Sequence, residues 1–309
     1  MAFDHILLIG FGGPRAPEEI RPFLEEVTRG LPMPPARLDE VARHYEQTGG
    51  RSMYNEHTFR LARVLTDALR DADVTLPVFV GMRCWHPFLH DTLREIQERQ
   101  LRRGLGLILA THRSEPSYGR YTKSLEQAKE HAGAQAISYD YVDSWHDHPL
   151  FIQAQAALVR AVLEPLSASE RATTHLLFTA HAIPADAAKR SRYAVEFRWS
   201  STLVTEALQH AVWSIAYQSR SGHPREPWLE PDVLSAIRGL PSTGARQVVL
   251  VPIGFVSDHT EVVYDLDVQA RATAGQAGLR YLRASTVMDH PDFVAALVAL
   301  IRRQLRAGD

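Results

Sequence analysis

The sequence contains a single cysteine, Cys84, among its 309 residues. One thiol cannot form an internal disulfide, a cysteine-rich zinc site or a four-thiolate iron–sulfur site, so we expect none of these. Protein chains that use no disulfides are typical of reducing compartments. The shortage of cysteine therefore directs the search for chemistry toward histidines and carboxylates.

Long apolar runs and an excess of charge are missing as well. No window of about 18 apolar residues occurs, and we expect no integral membrane segment. Residues 1–5 lack the basic and apolar regions of a signal peptide, which favours a cytoplasmic protein. The formal net charge is -2. This balance argues against a nucleic-acid binder, because such proteins usually carry a basic face.

What the sequence does contain is an alternation of short apolar runs and helical patterns. Strands are predicted at residues 5–10, 78–82, 105–110, 136–142, 175–180, 213–217 and 247–253. Helices are predicted at residues 18–29, 37–47, 55–71, 89–100, 123–131, 150–163, 202–210, 231–238, 260–270 and 292–304. Continuously apolar strands separated by helices indicate parallel sheets covered on both faces.

The length of the chain exceeds that of one ordinary domain, so two α/β domains are predicted. We expect them to cover residues 1–165 and 166–309, with the C-terminal helix packing back. The strand-and-turn segments at 6–14 (ILLIGFGGP) and 176–184 (LLFTAHAIP) are alike, and their overlay matches Phe11 with His181. If the halves are duplicated, two Rossmann-like domains face one another across one cleft. The alternative is that any two strand–loop–helix units look alike.

His181 directly follows a predicted buried strand, at the sheet edge where parallel α/β proteins bind ligands. Neutral imidazole is a good ligand for ferrous iron and a base near neutral pH. From the residues alone, a loop histidine that is hydrogen-bonded to the backbone is the commoner case.

Glu261 and Asp265 follow the strand predicted at 247–253, and their spacing of four places them on one face of a helix. Two such carboxylates can attract a divalent cation or move protons. The competing interpretation is a capping box, in which Asp258 and Glu261 close the first turn of that helix. The residues alone favour this second interpretation.

Taken together, these segments resemble the ferrochelatase family nearly end to end. The resemblance is carried by LLIGFGGPRAPEEIRPFL (7–24), HYEQTGGRS (44–52), VGMRCWHPFL (80–89), VDSWHDHP (142–149), FTAHAIP (178–184), YQSRSG…PWLEPDV (217–233) and VPIGFVSDHTEVVYDLD (251–267). It implies two Rossmann-like, chelatase-type domains whose parallel sheets face a central porphyrin cleft. It also implies an enzyme of haem biosynthesis that inserts Fe²⁺ into a porphyrin, with His181 and Glu261 as the catalytic pair.

The resemblance is greatest to the soluble branch of the family, which acts on coproporphyrin III. The short, polar segment at residues 28–35, without an apolar membrane-embedding extension, favours this branch. Alternatives are a protoporphyrin IX ferrochelatase, another tetrapyrrole chelatase, and a haem or porphyrin carrier without catalysis. We expect Fe²⁺ as a substrate, no required cofactor, a monomer, and transient contacts with neighbouring enzymes of the haem pathway.

The resemblance also assigns binding residues. Those expected to contact the porphyrin are Phe11, Arg29, His44, Tyr45, Ser52 and Tyr121. Those expected to bind Fe²⁺ are His181 and Glu261, with Asp265 as the candidate for an outer metal site.

Three of these assignments carry a reservation. A propionate can pair with Arg29, whose alternative is a solvated arginine at a helix end. Gln269 stands where a further acid is usual, which weakens the outer metal site. Phe11 stands where the soluble branch commonly has tyrosine, and its ring can pack on a macrocycle but cannot ligate iron.

Overall fold

The computed structural model describes residues 2–30, 34–221 and 226–308. The chain divides into two compact units. The first is made of Met1–Leu109, Ser117–Asp143 and Val294–Asp309, and the second of Ala110–Pro116 and Ser144–Phe293. This division differs from the predicted boundary at 165/166, because the helix before that boundary belongs to the second unit.

The first unit is a parallel α/β layer. Its strands are β1 (His5–Gly10), β2 (Val78–Met82), β3 (Arg103–Ile108) and β4 (Ser138–Tyr141), in the order β2-β1-β3-β4. Its helices are α1 (Ile20–Val27), α2 (Pro35–Gln47), α3 (Tyr54–Asp71), α4 (Leu89–Glu98) and α5 (Arg120–Ala132). Every residue of β1 is buried, as expected for a strand covered on both faces.

The second unit repeats this plan. Its strands are β5 (Thr174–His181), β6 (Trp213–Gln218), β7 (Gln247–Val251) and β8 (Arg280–Arg283), in the order β6-β5-β7-β8. Its helices are α6 (Pro149–Leu163), α7 (Ala168–Ala172), α8 (Ala185–Lys189), α9 (Tyr193–Leu208), α10 (Val233–Gly239), α11 (Thr260–Val262) and α12 (Arg271–Gln276), and α13 (Pro291–Gly308) continues from it into the first unit.

Corresponding strands of the two units pair in the same way. Each sheet places its first strand second in the order, and all pairings are parallel. Phe11 comes directly after β1, and His181 is the last residue of β5. The predicted fold class, two Rossmann-like domains with parallel sheets, is confirmed. The predicted cleft between them stays a prediction.

Several elements of the second unit differ from the expectations, among them the short helices α7, α8 and α12, which were not predicted. Helix α9 begins nine residues before the predicted start at 202, and the hydroxyls of Ser200 and Ser201 donate to the carbonyls of Glu196 and Phe197 inside it. The helix predicted at 260–270 is a π-helix over Val263–Ala270. Strand β8 was not predicted, since this edge strand is short and arginine-ended rather than apolar.

None of the helices within the described residues is long and apolar enough to cross a membrane. Part of the short, polar segment at residues 28–35, namely residues 31–33, lies outside the described residues. Residues 222–225, part of one segment that carries the family resemblance, lie outside them as well.

Candidate active site

The imidazole of His181 is held at the carboxyl end of β5 by its neighbours. Its Nδ1 lies 2.5 Å from the carbonyl oxygen of Ala182. Since a carbonyl only accepts hydrogen bonds, Nδ1 is the protonated nitrogen of the neutral ring, and Nε2 keeps a free lone pair. The hydroxyl of Tyr193 donates to the carbonyl of His181 at 2.8 Å and fixes the backbone from the other side.

The loop after β7 carries Glu261 toward the end of β5. Gly254 donates its N–H to the carbonyl of Thr179 at 3.0 Å. A Cβ at Gly254 would lie 2.5 Å from the Cβ of Ala180, so a larger residue would push the loop away from the strand. This close approach places the start of α11, and therefore Glu261, beside His181.

His181 and Glu261 face each other with two hydrogen-bond acceptors. The distance from His181 Nε2 to Glu261 Oε2 is 3.6 Å, and their side chains are 36% and 50% exposed. Two lone pairs at this distance repel unless a cation lies between them. A metal ion with bonds of about 2.1 Å to each atom would bridge the gap, and so would a proton on the imidazole. The pair is built to receive a positive charge.

The capping interpretation of Glu261 is wrong. The residue at the N-cap of α11 is His259, and its side chain makes no cap hydrogen bond. Asp258 instead accepts two hydrogen bonds from the guanidinium of Arg283. Asp258 therefore binds Arg283 of β8 and does not cap α11, and the carboxylate of Glu261 lies beside His181.

Asp265 is a buried carboxyl group on the segment that carries Glu261. The pKa of Asp265 is raised to about 6, chiefly by burial and also by the nearby charge of Glu261, although the hydrogen bond from Ser219 acts to lower it. Ser219 Oγ lies 2.5 Å from Asp265 Oδ2. Ser219 adopts a left-handed φ of 60°, a conformation that a non-glycine residue holds only where its surroundings enforce it.

The raised pKa of Asp265 predicts a stability that depends on pH. Above pH 6 the carboxylate is charged in both states, and the folded protein carries a penalty of about 3 kcal/mol. Between pH 6 and pH 4 only the unfolded chain stays ionised, so the penalty disappears as the pH falls. Asp265→Asn keeps an acceptor for Ser219 and should raise the free energy of unfolding by roughly 1–3 kcal/mol at pH 8.

Urea denaturation of the wild type and of Asp265→Asn at pH 8 and pH 4 measures this difference. The gain from the substitution should shrink below about 1 kcal/mol at pH 4. A gain that is equal at both pH values, or a loss at pH 8, would show that burial does not raise the pKa of the native carboxyl group.

The structure adds no further metal ligands to the outer site predicted at Asp265 within the described residues. Within the described part of the chain, no group of three or more histidine, cysteine, aspartate or glutamate side chains is arranged to hold a metal ion. Asp265 is instead hydrogen-bonded to Ser219. The outer site stays a prediction.

Four of the predicted porphyrin contacts gather near the carboxyl end of β1. Phe11 and Tyr45 both pack against Phe23 in one aromatic cluster. The backbone N–H of Phe11 donates to the hydroxyl of Tyr54 at 3.0 Å, and Tyr54 is hydrogen-bonded to Tyr121. Ser52 is buried in the same unit, where its Oγ lies 2.8 Å from the position of a Cβ on Gly13.

The other two predicted contacts lie on, or just after, helices of the first unit. Arg29 follows α1, is 77% exposed, and forms an ion pair with Glu26. His44 is half-buried in the last turn of α2. For all six residues, contact with a porphyrin stays a prediction.

Two neighbours of the predicted contacts were missed by the sequence analysis. The guanidinium of Arg83, directly after β2, lies 5.0 Å from the centre of the Phe11 ring. The hydroxyl of Tyr54 connects Phe11 to Tyr121. The sequence position of Arg83 could have marked this residue as a candidate contact, because Arg83 follows a strand at the same sheet edge as Phe11. No comparable signal marks Tyr54, which lies at the start of a helix.

Comparison with known proteins gives one consistent result. The family model described as Ferrochelatase matches residues 4–305. A coproporphyrin III ferrochelatase of Mycolicibacterium paratuberculosis is 40% identical over 100% of this chain and 90% of its own length. A ferrochelatase of Rhodopirellula baltica is 38% identical over 98% of this chain and 86% of its own length.

Solved structures agree on the fold. The sirohydrochlorin chelatase SirB from Bacillus subtilis subspecies spizizenii, in complex with cobalt, matches with a TM-score of 0.56. The match covers 98% of this chain and 96% of that chain, at 10% sequence identity. At this identity the similarity shows a shared two-domain α/β architecture.

Proposed function

We propose that this chain, which belongs to the ferrochelatase family, inserts ferrous iron into coproporphyrin III. The membership follows from a family match over nearly the whole chain and from relatives that are 38–40% identical. The chain is therefore an enzyme of the metal-inserting class in haem biosynthesis. The choice of coproporphyrin III as its porphyrin is the part that we propose.

The observation that carries the chemistry is the 3.6 Å separation of His181 Nε2 and Glu261 Oε2. Insertion exchanges two pyrrole N–H protons for one Fe²⁺, so the charges balance without any change of oxidation state. A site for this exchange needs a ligand for the incoming ion and an acceptor for the departing protons. The imidazole and the carboxylate can each act as a metal ligand or as a proton acceptor. The repulsion between their lone pairs favours binding of a cation, either Fe²⁺ or a proton.

Asp265 extends this pair into the protein. It belongs to the same π-helical segment that follows Glu261, and its charge interacts with both Glu261 and His181. A carboxyl group whose pKa is raised to about 6 can take up and return a proton near neutral pH. In the proposed reaction, Asp265 receives protons from the His181–Glu261 pair and passes them on.

The preference for coproporphyrin III is supported by named relatives and by charge. Coproporphyrin III carries propionates where protoporphyrin IX carries vinyl groups, so it needs more cationic partners. Arg83 lies over the ring of Phe11, and Arg29 is exposed at the end of α1. Guanidinium groups pair with carboxylates through charge-assisted hydrogen bonds. Phe11 supplies an apolar surface for the macrocycle between such contacts.

Anaerobic assays with ferrous iron and each porphyrin test the proposal. We expect kcat/KM for coproporphyrin III to exceed that for protoporphyrin IX by roughly 10-fold or more, because protoporphyrin IX would leave cationic side chains such as Arg29 and Arg83 without propionate partners. Equal or reversed values would assign the chain to protoporphyrin IX. Tight porphyrin binding without any metalloporphyrin would identify a carrier, and turnover only of cobalt with sirohydrochlorin would identify another chelatase.

A further inference from the structure

Arg283, the last residue of β8, makes contacts that the reaction as described does not use. Its Nη1 and Nη2 atoms lie 3.1 and 3.0 Å from the two carboxylate oxygens of Asp258. Its Nε atom lies 3.0 Å from Oδ1 of Asp267. The side chains of Arg283, Asp258 and Asp267 are only 16%, 17% and 22% exposed. One guanidinium group thus binds two carboxylates in a largely buried setting.

In the sequence, the two carboxylates lie on either side of the segment that carries Glu261 and Asp265. Asp258 comes three residues before Glu261, and Asp267 comes two residues after Asp265. Between them the chain passes from the short helix α11 into the π-helix. A π-helix has weaker intrinsic stability than an α-helix, so contacts from outside must fix its position. Arg283 supplies such contacts from a strand of the sheet, to Asp258 before α11 and to Asp267 within the π-helix.

The other charges around this segment do not replace Arg283. Arg271 reaches Asp267 from the next helix, at 3.4 Å. For Asp258, Arg283 is the cationic partner that the structure places in ion-pair distance. The remaining groups nearby are His259, whose pKa is lowered by burial, and the carboxylates of Glu261 and Asp265. Without Arg283, Asp258 would be a half-buried anion close to other anions, and the loop would move to hydrate it.

We propose that Arg283 is a positioning residue for the reaction: by binding Asp258 and Asp267 together, it holds Glu261 at its distance from His181. This inference rests on the proposed function, in which that pair performs the insertion. Arginine is required rather than a simple positive charge, because only its planar fork binds one carboxylate through two parallel bonds while Nε binds another.

The test compares Arg283→Met with Arg280→Met, a matched control on the same strand. Arg280 forms an ion pair with Glu170 at 3.0 Å, and both side chains are about half exposed. Misplacing a catalytic group by about 1 Å can cost roughly 100-fold in rate. We expect Arg283→Met to lower kcat by roughly 10- to 100-fold, with KM for the porphyrin within about threefold of the wild type. Arg280→Met should leave both constants unchanged.

A crystal structure of each variant gives a readout that does not depend on turnover. The separation of His181 Nε2 and Glu261 Oε2 should increase in Arg283→Met and stay at the wild-type value in Arg280→Met. If Arg283→Met does not fold, Arg283→Lys and Asp258→Asn answer the same question: each should lower kcat and increase the separation of His181 Nε2 and Glu261 Oε2.

An unchanged separation, or a kcat within twofold of the wild type in folded Arg283 and Asp258 variants, would overturn the inference. A lower unfolding midpoint with unchanged kcat would mark Arg283 as purely structural and overturn it too. Absence of turnover in the wild type would instead refute the proposed function, and the distance in the variant structures would still decide whether Arg283 positions Glu261.

Discussion

Replacing His181 with alanine is expected to lower kcat for iron insertion by roughly 100- to 10,000-fold, the usual contribution of a positioned acid–base group. The substitution removes the Nε2 lone pair that faces Glu261 at 3.6 Å. The fold should survive, because the ring is 36% exposed and its hydrogen bond is to the adjacent carbonyl of Ala182. We expect the free energy of unfolding to change by no more than about 1 kcal/mol.

A matched control exists at the opposite end of the same strand. His210 Nε2 bonds the carbonyl of Thr174, the first residue of β5, at 2.9 Å. His210→Ala removes a histidine of the same kind, roughly 20 Å away from His181 along the strand. Its kcat should equal that of the wild type. Full activity in His181→Ala, or equal losses in both variants, would remove His181 from the mechanism.

Glu261→Gln is expected to lower kcat by roughly 100-fold or more. The carboxamide keeps the shape of the side chain but has neither the negative charge nor the basicity of the carboxylate. Its N–H group can also donate to Nε2 of His181, which would occupy the lone pair needed for the incoming cation. One substitution therefore disables both members of the pair. The KM for the porphyrin should stay within about threefold of the wild type.

Glu206, an exposed glutamate of α9, provides the control for this prediction. Glu206→Gln makes the same chemical change on the surface of the same unit, and its kcat should be unaffected. Steady-state rates at saturating iron under anaerobic conditions measure both variants. Wild-type activity in Glu261→Gln would show that the carboxylate neither binds iron nor accepts protons.

Much of the fold could be predicted because buried parallel strands leave a simple pattern. The apolar runs that form β1 and β2 have the bounds that were predicted from the sequence. Such strands are covered on both faces, so nearly every position must be apolar. The same reasoning located His181, since the residue at the carboxyl end of such a strand is exposed to the functional edge of the sheet.

The surroundings of Glu261 could not be predicted, because they depend on contacts between distant parts of the chain. The sequence around Asp258 matches a capping box, yet Asp258 is bound by Arg283 from a strand that begins 22 residues later. That strand carries no apolar pattern, and nothing in the local sequence distinguishes a π-helix from an α-helix over Val263–Ala270. Pattern analysis therefore favoured a capping role for Glu261 that the structure contradicts.

The first unit shows the same limit on a smaller scale. Phe11 and Tyr45 were assigned to porphyrin binding by resemblance, and the structure gathers them around Phe23. Arg83 was not assigned, although it follows β2 at the same sheet edge as Phe11 and its guanidinium lies over the Phe11 ring. Contacts between side chains that are brought together only by the sheet topology can be seen in a structure but cannot be predicted from the spacing of these residues in the sequence.

The most direct test of the account is a single-turnover experiment without oxygen. Protein saturated with coproporphyrin III is mixed with ferrous iron, while absorbance reports the metalloporphyrin and a pH indicator reports released protons. We expect a metalloporphyrin that forms with release of two protons per iron, and loss of this reaction in both His181→Ala and Glu261→Gln. Porphyrin that stays bound and metal-free after iron is added to the wild-type protein would contradict it.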